Sequence, residues 1–217
     1  MLKAYVRADE SAAFPSASEK RRIVSAAAHD FVRVRVAQLT GRRHDSLIFA
    51  ADAHGKPYIE GSKVHFNISH CGNVVLAAFS ENEVGADIEF IGRSGTNVIQ
   101  RKFTQDEQDY IAVAPSETEA NRRFCEIWTA KEAFLKLYGV GLAGGLDFPV
   151  ADGSGLLREI YAPSFGRAEV FRRRVSMELT RGDFTPKIGD IYQNVEKEFQ
   201  ICICGQHLGE ISLQIFN

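Results

Sequence analysis

The chain has 217 residues, 45% of them hydrophobic and 25% charged, with a formal net charge of −2. That length supports a sizeable core in one large domain or two small ones, and the near-neutral balance gives no general attraction to nucleic acid or an anionic membrane. No run approaches the roughly 20 apolar residues of a membrane-spanning helix, and residues 1–7 lack the apolar core of a secretory signal, so the sequence reads as cytoplasmic.

Residues 2–7 read as a first strand. Residues 18–38 read as a helix, with Ile23, Ala27, Phe31 and Val34 at helical spacing and a basic set of Lys20, Arg21, Arg22, Arg33 and Arg35. Gly41 supplies its stop. Short strands are expected over 47–50 and 64–68, with the turn Gly55-Lys56-Pro57 between them. Residues 73–79 hold a continuous apolar run that fits a central strand, and a further strand at 84–91 follows a short polar turn. Two strands joined so closely read as a hairpin.

Thr104-Gln105-Asp106-Glu107 is a capping box, in which Thr104 caps a helix and Glu107 reaches back. A long helix is expected over 117–138, ended by Gly139. Strand-like runs follow at 156–161, 168–171, 175–179, 188–195, 199–204 and 207–215. This order argues an α+β fold rather than alternating βαβ units. The glycine-rich stretch from Gly139 to Gly145 follows a helix and lacks the Lys-Ser/Thr of a phosphate loop, so it reads as a helix cap and loop. Cys202 and Cys204 sit in an alternating run and read as buried, reduced thiols, and Arg172, Arg173 and Arg174 as a solvated strand end.

Two acidic clusters carry the chemistry. In Val84-Gly85-Ala86-Asp87-Ile88-Glu89-Phe90 the period of two sets the Asp87 and Glu89 carboxylates side by side on one face. In Trp128-Thr129-Ala130-Lys131-Glu132-Ala133-Phe134-Leu135-Lys136 the residues Trp128, Glu132 and Lys136 share a helix face. Either cluster alone is commonly a solvated strand face or a surface ion pair. The helix, however, is apolar nearly all round, with Phe124, Ile127, Ala130, Ala133, Phe134, Leu135 and Leu137, which marks a largely buried helix. A carboxylate there needs a cation. Three acids with lysines beside them suit Mg²⁺ and a phosphate substrate.

Gly55-Lys56-Pro57, Phe66-Asn67-Ile68-Ser69-His70, Gly85-Ala86-Asp87-Ile88-Glu89, Phe103-Thr104-x-x-Glu107 and Trp128-x-x-Lys131-Glu132-Ala133-x-x-Lys136 resemble, in order and spacing, the motifs of Sfp-type 4′-phosphopantetheinyl transferases. The resemblance spans roughly residues 20–142, with Ala86 where a larger aliphatic residue is usual and Cys71 where Ser is common. It implies two similar α+β halves related by a pseudo-twofold, here 1–102 and 103–217, with the active site in the cleft between them. It implies transfer of phosphopantetheine from coenzyme A to a serine of an apo acyl or peptidyl carrier protein, releasing adenosine 3′,5′-bisphosphate. By matching position, Asp87, Glu89 and Glu132 would hold Mg²⁺ or Mn²⁺. Lys56, Ser69, His70 and Lys136, with Lys131 beside them, would contact coenzyme A. Glu132, Lys136 and Asp87 form the expected catalytic set, and the serine proton would pass to Glu132, Glu107 or a metal-bound water.

The short trimeric carrier synthases resemble about half of this chain, so its length disfavours that kind, and a monomer is expected. An apolar loop at 142–146 is the expected docking contact for carriers of fatty-acid, polyketide or nonribosomal-peptide assembly. Two other functions fit parts of the pattern. Another Mg²⁺-dependent phosphodiester enzyme would explain the acids but not the Gly-Lys-Pro and Ser-His segments, and a non-catalytic binding module would tolerate neutral residues at Asp87 or Glu132.

Overall fold

The apolar run expected to be a central strand is one: Val74–Ser80 (β5) lies between two neighbours and buries Val74, Leu76 and Ala78 on one face and Val75, Ala77 and Phe79 on the other. The computed structural model describes residues 2–8, 17–72, 74–92, 95–179 and 195–216. The described chain runs β1 (Leu2–Ala8), α1 (Ala17–Thr40), β2 (Phe49–Ala51), β3 (Pro57–Ile59), β4 (His65–Cys71), β5, β6 (Val84–Phe90), α2 (Thr96–Lys102), α3 (Gln105–Ala112) and α4 (Glu117–Leu137). It continues through β7 (Ala151–Asp152), β8 (Gly155–Leu156), β9 (Glu159–Ala162), β10 (Gly166–Leu179), β11 (Val195–Gly205) and β12 (Ile211–Phe216).

Helix and sheet are therefore mixed, in two four-stranded sheets ordered β12-β1-β5-β4 and β6-β11-β10-β9. The last strand returns to the first sheet, where β12 pairs in parallel with β1, Leu2 opposite Ile211. Alternation along β5, β6 and β11 then builds a layered core. Leu76, Ala86, Ile88, Phe199, Ile201 and Ile203 pack in one cluster between the sheets. The far face of β5 takes Val24, Val32 and Val36 of α1, and the far face of the second sheet, with Cys202 and Cys204, takes α4.

β5 and β6 do not form the expected hairpin. Both edges of β5 are occupied, by β1 and β4, so the chain leaves the first sheet after Ser80 and β6 pairs with β11 instead. Three further differences concern short elements. Pro57–Ile59 is a strand paired with β2 rather than only a turn. The runs at 168–171 and 175–179 are parts of one strand, and helix α2 was not anticipated. The run expected at 188–195 falls almost wholly outside the described residues. Because β6 pairs with β11 and β12 with β1, neither sheet is built from residues on one side of position 102 alone.

Helix α4 lies directly on β6. A Cβ added at Gly85 would meet the Ala133 carbonyl oxygen at 2.0 Å and the Leu137 nitrogen at 2.3 Å. Only glycine permits that approach, and the approach brings the polar face of α4 to Asp87. Gly139, at φ 71°, ends the helix in the left-handed region as expected.

Candidate active site

The site forms where the edge strands β4 and β6 of the two sheets meet beneath α4. The period of two sets Asn67, Ser69 and Cys71 on one side of β4, and all three reach β6. The Asn67 Oδ1 accepts from the Ala86 N–H at 2.9 Å, the Ser69 hydroxyl donates to Asp87 Oδ1 at 2.7 Å, and the Cys71 thiol donates to Glu89 Oε1 at 3.3 Å. Burial, reinforced by the Glu89 charge, pushes the Cys71 thiol up to about 12, so it remains a protonated donor.

From α4, the Lys136 ammonium donates to Asp87 Oδ1 at 2.6 Å and to Ser69 Oγ at 2.9 Å. Glu132, one turn earlier, and Trp128, a turn before that, line the same groove. This groove of about 320 Å³ also includes His70 and Glu89. Thus Ser69, His70, Asp87, Glu89, Glu132 and Lys136, expected together from sequence, line one groove. The three carboxylates offer hard oxygen donors of the kind that hold Mg²⁺ with phosphate oxygens and water, so the residues fit such an ion. Among the described residues, no three His, Cys, Asp or Glu side chains are already gathered around one point; Asp87 faces Lys136 and Ser69.

Lys131, expected beside the coenzyme A contacts, does not line this groove. Its ammonium is fully buried on another face of α4, donating to the carbonyl oxygens of Leu146 at 2.8 Å and Phe148 at 2.5 Å and pairing with Glu107 at 3.0 Å. The reason is helical phase: Lys131 lies about 100° from Glu132, on the face turned to the core. Burial pulls the Lys131 ammonium below the usual lysine range, and the Glu107 charge opposes that pull. Glu107 forms the expected capping box, with Oε2 accepting from the Thr104 N–H at 2.8 Å. Its Oε1 also accepts from the Val150 N–H at 2.8 Å. Completely buried and so engaged, Glu107 is not placed to take a proton in the groove.

Lys56 does not enter this groove. It lines a neighbouring pocket of about 230 Å³ with Asp52, Tyr58, His65 and Glu83. Its ammonium donates to Glu83 Oε2 at 2.5 Å and to the Leu137 carbonyl, at the C-terminal end of α4, at 2.9 Å. Burial works to raise the Glu83 carboxyl, but Lys56 and His65 outweigh it and hold it below its ordinary value. Two other expectations also change. Leu146 is buried, leaving Leu142 as the exposed large apolar residue of that loop, and Arg172 turns inward to the Leu157 and Val150 carbonyls. Asn67, Cys71 and Glu83 were not expected in contact roles. The alternation of β4 was the signal that linked Asn67 and Cys71 to Ser69, whereas nothing local linked Glu83 to Lys56.

Comparison with known proteins adds an independent line. A Bacillus subtilis 4′-phosphopantetheinyl transferase is 30% identical over 177 residues, 81% of this chain and 70% of that protein. The chain belongs to the 4′-phosphopantetheinyl transferase family. The profile of the 4′-phosphopantetheinyl transferase superfamily matches residues 83–187, which include β6 and α4. The transferase psf-1 of Bacillus pumilus is 35% identical over 119 residues, 52% of this chain and 51% of that protein. The transferase Sfp of Bacillus subtilis strain 168 is 35% identical over 100 residues, 46% of this chain and 44% of that protein. With several of these 4′-phosphopantetheinyl transferases, then, the chain shares only about half of their length. Among the described residues no helix is long and apolar enough to cross a membrane.

Proposed function

We propose that this chain transfers the 4′-phosphopantetheine group of coenzyme A to a serine of an apo acyl or peptidyl carrier protein. The observation that carries the reading is the single groove in which β4, β6 and α4 bring together Ser69, His70, Asp87, Glu89, Glu132 and Lys136. Family membership supports it, since the matching relatives are transferases of this kind.

Asp87, Glu89 and Glu132 would hold a divalent ion, Mg²⁺ or Mn²⁺, which neutralises charge on the pyrophosphate when bound. In the transfer, the carrier serine oxygen bonds to the phosphorus bearing pantetheine. The bond from that phosphorus to the leaving adenosine bisphosphate breaks, and the serine proton goes to a base. Glu132, a groove-lining carboxylate of α4, would accept that proton. Lys136 and His70 would supply donors to phosphate oxygens, and the Ser69 hydroxyl, which donates to Asp87 in the free chain, would add a third by turning to the phosphate. Lys56 would serve the distal nucleotide phosphate. His65, in its pocket, and Ser69, in the groove, are four residues apart on β4, a separation of roughly 13 Å at strand rise.

The two-halves arrangement belongs to the same proposal. Each four-stranded sheet carries one long helix, α1 or α4, and the groove lies at the meeting of their edge strands. Residues 1–102 would contribute the β4 and β6 donors and residues 103–217 the α4 donors, with β6 lying in the second sheet and β12 in the first. Leu142, 54% exposed on the turn after α4, offers the carrier an apolar contact. The protein would act as a cytoplasmic monomer on carriers rather than on nucleic acid or membranes.

The test is the mass of several apo carriers after incubation with the protein, coenzyme A and Mg²⁺. A gain of one phosphopantetheine on a carrier serine is the expected result. Unchanged masses across a diverse panel, with the protein folded, would remove the assignment.

A further inference from the structure

Asp87 Oδ1 sits in a closed triangle. It accepts from Lys136 at 2.6 Å and from Ser69 at 2.7 Å, and Lys136 also donates to Ser69 at 2.9 Å. The Asp87 side chain is only 7% exposed. A carboxylate so enclosed requires a compensating cation, and Lys136 provides it. A divalent ion held by Asp87 would share that one carboxylate with the ammonium, and two positive charges so close repel.

We propose that Lys136 is a positioning residue as well as a phosphate contact: it holds the place of the divalent ion on Asp87 and is displaced when the ion binds. This inference rests on the reading of the groove as a divalent-metal site. Displacement is physically open to Lys136, because its side chain is 27% exposed at the groove and its four-carbon stem is flexible. Release from Asp87 leaves the ammonium in the same groove, available to an anionic phosphate. Ion binding thereby frees the lysine that the nucleotide needs, and the two events are coupled in an ordered way. While it stays on Asp87, Lys136 lowers the affinity of the free enzyme for the ion.

The consequence separates this role from a merely structural one, because removing the lysine charge must tighten ion binding while impairing transfer. The experiment is titration of the full chain with Mn²⁺ alone, without coenzyme A, by calorimetry and by the electron paramagnetic resonance signal of free Mn²⁺. Lys136→Met and Lys136→Gln are expected to bind Mn²⁺ roughly tenfold or more tightly than the unsubstituted chain, within the usual span of coupled sites. Lys136→Arg, which keeps the charge, is expected to remain weak. Thermal melting without metal identifies the folded variants. Equal or weaker Mn²⁺ binding by folded Lys136→Met and Lys136→Gln would overturn the placeholder role and leave the groove reading standing, provided that Asp87→Asn removes the binding. Mn²⁺ binding that is absent throughout, or that Asp87→Asn leaves unchanged, would instead remove the groove reading and the placeholder with it.

Discussion

Helix α4 carries two lysine–carboxylate pairs whose lysines are five residues apart, and they differ in almost everything but chemistry. In the Lys131–Glu107 pair both side chains are 0% exposed, whereas in Lys136–Asp87 they are 27% and 7% exposed. The first ammonium is held by carbonyls of Leu146 and Phe148 and by a capping carboxylate, so it ties α3, α4 and the loop before β7 into one body. The second shares its carboxylate with a serine beside a groove that a ligand can enter. Burial decides which pair is a staple and which can exchange partners, since leaving a fully enclosed partner strands a charge in the core.

The largest effect expected from this contrast falls on the staple. Lys131→Ala should cost about 3–5 kcal/mol of stability, because it leaves the Glu107 charge buried and uncompensated. Chemical denaturation measures it, and adding Glu107→Gln should recover part of the loss. A Lys131→Ala chain as stable as the parent would mean that the two pairs do not differ as described. In the groove the loss should appear in turnover instead. Glu132→Gln and Lys136→Ala should each lower carrier modification by about 10²–10³-fold, the scale of removing one stabilising group from a polar site, with little change in melting temperature for Glu132→Gln and, because Asp87 loses its cation, a fall for Lys136→Ala that is smaller than for Lys131→Ala. Near-parental rates for Glu132→Gln, followed by carrier mass, would take that residue out of the site.

The third test concerns what holds both pairs in register. Gly85→Ala places a methyl group on the α4 backbone and should cost at least about 1–3 kcal/mol, the range for overpacking. It should also weaken coenzyme A binding, because α4 must move away from β6. Calorimetric titration with coenzyme A reads the second effect, and unaltered affinity in a destabilised protein would show that the groove tolerates that movement. The smallest effect belongs to Ile88→Val, whose side chain packs in the core between the sheets while the residue also borders the groove: about 0.5–1.5 kcal/mol of stability and little change in turnover. Should Ile88→Val lose as much activity as Asp87→Ala, the alternation of β6 would not describe the site.

The parts of the site legible in the sequence were those set by local backbone period. A repeat of two put Asp87 and Glu89 on one face of β6, and a repeat of four put Glu132 and Lys136 on one face of α4; both geometries follow from a few consecutive residues. The capping box and the glycine stop after α4 are equally local. The partner of each charge was not legible, because it depends on which distant element packs against the helix. Lys131 and Lys136 look alike in sequence, and only the arrival of Leu146, Phe148 and Glu107 on one side of α4 separates them. Lys56 likewise meets the carbonyl end of α4 across 81 residues of chain. β5 and β6 read as a hairpin because their separation is short, yet with both edges of β5 occupied the second strand had to pair with β11. Backbone period is a property of neighbours in the chain, whereas burial and strand pairing are properties of neighbours in space.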